Sequence, residues 1–156
     1  MSCGHLPGFG APLPPAGETL VISVGFESLS IRSLLDVYRD RKKALKIILS
    51  FPPDGGSTRR EWNTLRQITA GIEPGTVGHS LEVIVTWAAE EVYRTLKRWS
   101  DDADGLTLAP FGPKSHSLGM ALFAIKYDCG LYYTQPKSYN PEYSRGCGES
   151  CAYVVE

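Results

Sequence analysis

The chain has 156 residues, of which 42% are hydrophobic and 21% charged, and its formal net charge is -1. This composition is typical of a globular domain with a core of its own and excludes a disordered, charge-rich chain. The balanced charge argues against a nucleic-acid-binding protein, and the apolar runs are far shorter than the roughly 20 residues that cross a bilayer.

Residues 1–18 are rich in Gly and Pro and lack the basic and apolar regions of a signal peptide. We therefore expect an irregular leader over residues 1–18, followed by one domain over residues 19–156. A cytoplasmic location is the simplest expectation for such a chain. A leader of this kind is also compatible with a piece of a longer protein.

From residue 19 onwards, strand-like and helix-like patterns alternate. The β-branched run at residues 19–24 predicts a strand, and the apolar spacing from Ile31 to Tyr38 predicts a helix. The same strand–helix unit recurs: residues 44–51 predict a strand, and a capping-box pattern near Thr58 predicts the start of a helix.

Residues 81–87 fit either a strand or the start of a helix. Their β-branched residues favour a strand, and the acids at 90–91 followed by bases at 97–98 predict a separate helix whose ends match its dipole. Further elements are predicted as a strand at 105–110, a helix at 117–127, a strand at 130–134 and a final edge strand at 152–155.

This alternation predicts a Rossmann-like three-layer α/β domain with a mostly parallel sheet. Ligands of such sheets bind beyond the carboxyl ends of the strands, where loops lead into helices. Three loops with small or charged residues follow predicted strands, at residues 25–30, 52–57 and 111–117. We expect them to meet at one edge of the sheet.

The loop at residues 111–117 has the composition of an anion site. Gly112 allows close backbone approach, Lys114 supplies a positive charge, and Ser115 and His116 add donors near a helix start. The spacing is not that of a P-loop. Alternatively, a serine caps the helix and Lys114 is solvated. His116 also suits a general base, although the sequence assigns it no catalytic partners.

Five further residues complete the predicted site: Gly25, Glu27, Asp54, Tyr139 and Tyr143. Glu27 follows Gly25 where an acid can hold a ribose hydroxyl or act as a base, although an acid near a helix start is also favourable for the dipole alone. Asp54 follows the second strand. Tyr139 and Tyr143 can stack on a nucleobase, or instead cover the sheet edge or contact a protein.

The four cysteines do not predict a metal site. Cys147 and Cys151 lack a second tight pair to complete a tetrahedral zinc site, and a chain without a signal peptide more often keeps reduced thiols. We therefore expect no structural metal and no cofactor.

Three motifs occur together in the chain: Gly-Phe-Glu at 25–27, Ala-Pro-x-Gly-x-Lys at 109–114 and Tyr-Ser-x-Gly at 143–146. As a set, they make residues 19–156 resemble the C-terminal half of uncharacterised bacterial proteins from genomic islands and defence loci. The resemblance implies a Rossmann-like fold, the candidate site and an association with defence, but no reaction. It also implies that an N-terminal half present in those proteins is missing from this chain.

We expect a module that binds or senses a phosphorylated small molecule, with a nucleotide preferred. One alternative is a structural or docking domain for a protein partner or a second copy, with the tyrosine-rich tail as its interface. The other is a nucleotide-processing hydrolase or transferase that uses Glu27 or His116 as acid or base. Neither membrane contact nor nucleic-acid binding is expected.

Overall fold

The computed structural model describes residues 2–9, 17–25, 31–38, 44–51, 58–70, 80–85, 87–135, 150 and 152–154. Its strands and helices, in chain order, are β1 (Ser2–His5), β2 (Thr19–Val24), α1 (Ile31–Tyr38), β3 (Ala44–Phe51), α2 (Thr58–Thr69), β4 (Ser80–Val85), α3 (Ala89–Ser100), β5 (Leu106–Phe111), α4 (Lys114–Tyr127) and β6 (Gly130–Gln135). None of these helices has the length and apolar character needed to span a membrane.

The strands form one sheet in the order β1-β6-β5-β2-β3-β4. Strands β2 to β6 are all parallel, and only β1 runs antiparallel, against β6. The Rossmann-like α/β fold with a mostly parallel sheet is thereby confirmed. Since β2 pairs with β5 on one side and β3 on the other, it occupies the centre of the sheet.

Each face of the sheet is covered by a pair of helices. Leu20, Ile22 and Val24 of β2 pack in the core that contains buried residues of α1 and α2, whereas Val21 packs in the core beneath α3 and α4. A strand that is covered on both faces needs apolar residues at successive positions, which explains the continuous apolar run in β2. The four helices therefore form two outer layers around the sheet.

Helix α4 begins three residues earlier than the apolar spacing predicts, at Lys114 instead of residue 117. Pro113 takes the N-cap position in an extended conformation, with φ -60° and ψ 158°. The Ser117 N–H then donates to the Pro113 carbonyl at 3.0 Å, which closes the first helical turn. Lys114, Ser115 and His116 thus belong to the first turn of a helix and not to the loop before it.

The two ends of the chain differ from the sequence predictions. Ser2–His5, expected to be irregular, forms β1 on β6, and the Leu6 N–H donates to the Leu131 carbonyl at 2.8 Å. The edge strand predicted at residues 152–155 is wrong, because residues 152–154 are not in a strand. Strand β1 forms through backbone pairing with β6, and its Gly-rich segment gives no side-chain pattern from which a strand could be predicted.

Candidate functional site

The centre of the sheet contains a topological switch point. From β2 the chain continues to β3 and β4 on one side of the sheet, and then returns to β5 and β6 on the other. Open α/β sheets bind ligands in the crevice at this point, beyond the carboxyl ends of the strands. Gly25 and Gly112, the residues that directly follow β2 and β5, both lie here.

The two glycines bring the loops after β2 and β5 into contact. A Cβ atom on Gly25 would lie 3.2 Å from the Phe111 carbonyl oxygen and 3.3 Å from the Gly112 Cα. A Cβ atom on Gly112 would lie only 2.2 Å from the Ser23 Oγ. Packing of Gly25 against the loop after β5, and of Gly112 against Ser23 of β2, therefore accounts for glycine at both positions, and close approach of a ligand is not needed to explain them.

Beneath Gly112, Ser23 and His116 form a buried polar pair. The Ser23 Oγ lies 3.1 Å from the His116 Nδ1, and the His116 Nε2 lies 2.9 Å from the Val85 carbonyl oxygen. Both side chains have 0% solvent exposure. One imidazole thus connects the first turn of α4 with the carboxyl ends of β2 and β4.

The contacts of His116 fix the position of one of its protons. A carbonyl oxygen only accepts hydrogen bonds, so Nε2 carries a proton, and in the neutral ring Nδ1 accepts from the Ser23 hydroxyl. Burial lowers the pKa of His116, while the hydrogen bond to Val85 opposes this shift. Because the ring is wholly buried and both nitrogens bond within the protein, His116 does not present the exposed donor or base that the sequence predicted.

The first turn of α4 supplies positive charge at the carboxyl edge of the sheet. Among the described residues, no side chain caps the helix at Pro113. Lys114 is exposed at the first position and Ser115 is half-buried behind it. The Ser117 hydroxyl turns back to the Pro113 carbonyl at 3.2 Å, so it is not the N-cap that the alternative interpretation required. Among the described residues, the helix dipole and Lys114 place positive charge at this corner.

The predicted site residues separate into two groups. Gly25, Gly112, Lys114, Ser115 and His116 lie together at the carboxyl edge of the sheet, as the parallel strands require. The others are outside the described residues; they are Glu27, Asp54, Tyr139 and Tyr143.

A described part of the C-terminal tail reaches the same edge. The Tyr153 hydroxyl donates to the Trp87 carbonyl at 2.5 Å, in the turn between β4 and α3. Tyr153 itself is exposed, as are Ala152 and Val154. The tail residues 152–154 therefore lie at the end of β4, on the opposite side of the switch point from β6.

Sequence reasoning missed Ser23. A lone hydroxyl within an apolar strand is its only signal, and its partner His116 is 93 residues away.

The prediction that the cysteines bind no metal is tested only in part. No group of three or more His, Cys, Asp or Glu residues that could bind a metal occurs in the described ranges, and Cys147 and Cys151 fall outside them.

A scan against models of known protein families found no match for this chain, and neither did a search of curated protein sequences.

Proposed function

We propose that this domain binds a phosphorylated small molecule, preferably a nucleotide, at the carboxyl edge of the sheet. The observation that carries the proposal is the start of α4 at the switch point, uncapped by any described side chain and with Lys114 exposed at its first position. The cytoplasmic location and a role in defence are part of the same proposal, and the role in defence rests on the motif resemblance alone.

The physical basis is the charge at this corner. A helix N-terminus carries about half a positive charge and offers N–H groups to an anion, and a phosphate there gains about 0.3–1 kcal/mol from the dipole. A hydrogen bond from the Lys114 ammonium to the same anion adds about 1.5–3 kcal/mol. Together these interactions supply about 2–4 kcal/mol, less than the roughly 4 kcal/mol of a millimolar Kd, so contacts to the base or sugar must supply the remaining affinity.

The described residues give little support to an enzymatic role. Ser23 and His116 have the composition of a nucleophile and its base, but both are fully buried and the Gly112 backbone covers the serine hydroxyl. A nucleophile must be reachable by its substrate. The pair therefore supports the structure of the site, and binding is the function that the geometry favours.

A docking role is the second candidate, because β4 exposes apolar side chains at the edge of the sheet. Leu81 and Val83, on one face of this strand, are 44% and 49% exposed. Exposed apolar residues on an edge strand are a feature of surfaces that contact other chains. Sedimentation across a range of protein concentrations separates a self-associating edge from a monomer.

Ligand binding is tested with matched pairs of compounds at constant ionic strength. Adenosine is compared with AMP, ADP and ATP, and glucose with glucose 6-phosphate, by melting temperature and by amide chemical shifts. A ligand that binds only the folded state at a hundredfold excess over its Kd stabilises it by about 2.7 kcal/mol. We expect stabilisation by the phosphorylated members only, with shifts at the amides of Lys114 and Ser115. Equal responses within each pair, or none, would contradict the proposal.

A further inference from the structure

The hydrogen bonds of His116 join parts of the chain that are far apart in sequence. Its Nδ1 contacts Ser23 across 93 residues at 3.1 Å, and its Nε2 contacts the Val85 carbonyl across 31 residues at 2.9 Å. We call this set, made of Ser23, His116 and the Val85 carbonyl, the histidine clamp. It forms a polar connection between the first turn of α4 and the strands beneath it.

The neutral ring satisfies every polar atom of the clamp. In that state the Nε2–H donates to Val85 and Nδ1 accepts from the Ser23 hydroxyl, so every polar atom of the clamp has a partner. A proton on Nδ1 reverses the bond, so that Nδ1–H donates to the Ser23 Oγ and the serine hydrogen loses its acceptor. It also places a full charge where the side chain has no contact with water. A buried charge without a counter-ion is strongly unfavourable.

Within the described ranges, no counter-ion for such a charge is found on the surrounding elements. Strand β2 carries no ionisable residue, Lys114 on α4 is itself a cation, and the acids at the start of α3 are exposed. Four described charged residues on β3, β4 and α3 have other surroundings: Glu90 pairs with Arg94 at 2.6 Å, Glu82 pairs with Arg98 at 3.0 Å, Lys46 lies over the ring of Trp99, and Glu91 is exposed.

We propose that the histidine clamp is an acid-sensitive latch, in which protonation of His116 releases the first turn of α4 from the carboxyl ends of β2 and β4. The ring takes up its proton in the opened form, where water solvates the charge. This device is independent of the proposed ligand, although Lys114 lies on the turn that it releases.

The direction of the pH dependence follows from linkage. Burial lowers the pKa of His116 from its ordinary value of 6.5, so the folded form binds the proton more weakly than the opened form. The stabilisation is complete above about pH 6.5 and declines as the pH falls from there towards the folded-state pKa. Over that interval, the opening equilibrium constant rises by up to about tenfold for each pH unit.

The histidine responsible is identified with two variants of the full chain. The chain has three histidines, so a His5→Gln/His79→Gln variant retains only His116, and His116→Gln retains the other two. Urea unfolding is measured at steps from pH 8 to pH 5.5, above the range where most carboxylates titrate. We expect the wild type and the double variant to lose stability alike, and His116→Gln to lose this component. The reverse assignment would overturn the proposal.

The wild-type protein provides a second test that does not depend on a variant folding. Long-range proton–nitrogen spectra of the native imidazole should show a protonated Nε2 and a bare Nδ1. A native ring that carries its proton on Nδ1, or that titrates near pH 6.5 without any change in α4, would overturn the latch.

Release of the helix turn is followed by amide exchange, corrected for the intrinsic effect of pH. The Ser117 N–H closes the first turn of α4 on Pro113, whereas the Thr19 N–H bonds to Gly105 at the other edge of the sheet. We expect protection of Ser117 to fall by up to about tenfold per pH unit below pH 6.5, while Thr19 changes less. An equal change at both amides would show global unfolding and would overturn a local release.

Discussion

The Ser23 hydroxyl occupies the space into which a side chain at Gly112 would extend. A Cβ atom at position 112 would lie 2.2 Å from the Ser23 Oγ, a distance that no real pair of such atoms maintains. The serine cannot turn away without leaving His116 Nδ1, to which it is hydrogen-bonded at 3.1 Å. The identity of residue 112 is therefore coupled to the buried polar pair beneath it.

This coupling predicts a non-additive pair of substitutions. Gly112→Ala should destabilise the protein by about 1–3 kcal/mol, the usual cost of overpacking. In a Ser23→Ala background the oxygen is gone, and the nearest remaining atom, the residue 23 Cβ, lies 3.3 Å from the new methyl group. Urea unfolding of the two single variants and the double variant should give a double variant that is less destabilised than the sum. Additive effects would contradict the close contact.

A second prediction concerns the end of α4. Asp128 lies just beyond the helix in the left-handed region, at φ 49° and ψ 47°, and the next N–H, of Cys129, donates to the Ala124 carbonyl at 3.2 Å. This conformation favours glycine, and a negative charge is unfavourable at a helix C-terminus. Asp128→Gly should therefore raise the free energy of unfolding by about 0.5–1.5 kcal/mol in urea.

Asp128→Ala is the matched control, because it removes the charge but keeps the Cβ atom. We expect it to be less stable than Asp128→Gly by about 1 kcal/mol, the cost of a left-handed conformation in a residue with a side chain. If the two variants were equally stable, backbone strain at this position would not contribute.

Sequence patterns predicted the parallel part of the fold because burial on both faces leaves a strong signal. The bounds of β2, β3 and the start of α1 agree with the apolar runs and spacing in those segments. The start of α4 was missed because the apolar periodicity begins only after its first turn, whereas Pro113 sets the boundary by its own conformation.

The location of the candidate site could be predicted from the sequence, but the contacts within it could not. The parallel topology brings Gly25 and Lys114 to one edge, and strand order alone implies this. The burial of His116 was not predictable, since it depends on contacts with Ser23 and Val85, which belong to other elements. A polar residue at a helix start gives the same local sequence signal whether it faces the core or a ligand.

A third prediction concerns the thiol of Cys129. Burial, together with Glu18 and Asp128, raises its pKa from 9.0 to about 11. Two pH units correspond to about 100-fold less thiolate at pH 8, and the thiolate is the reactive form. In a variant with Ser at positions 3, 147 and 151, iodoacetamide should therefore label the native chain at least that much more slowly than the urea-unfolded chain. Comparable rates in both states would contradict a buried, protonated thiol.

The same shift predicts an alkaline loss of stability. The folded state retains the Cys129 proton more tightly than the unfolded chain, so this group stabilises the fold in full below pH 9. That contribution declines as the pH rises from 9 towards 11. Cys129→Ala should reduce this decline when unfolding is measured across the interval, even though the smaller side chain is less stable at neutral pH.

The last prediction distinguishes ligand binding from a structural role for Lys114. This lysine is exposed at the first position of α4, so the fold does not depend on its charge. Lys114→Ala should change the free energy of unfolding by no more than about 0.5 kcal/mol. If the ammonium contacts a bound phosphate, the same substitution should weaken binding by about 1.5–3 kcal/mol, which is roughly 10- to 150-fold in Kd.

Lys126 provides the matched control, since it is an exposed lysine on the last turn of the same helix. Lys126→Ala removes the same charge at the opposite end of α4, so the net charge changes alike in both variants. Titration of each with the compound that most stabilises the wild type, at fixed ionic strength, should show weakened binding only for Lys114→Ala. Equal Kd values in the two variants would mean that Lys114 acts through the overall charge of the protein and not through contact with the phosphate.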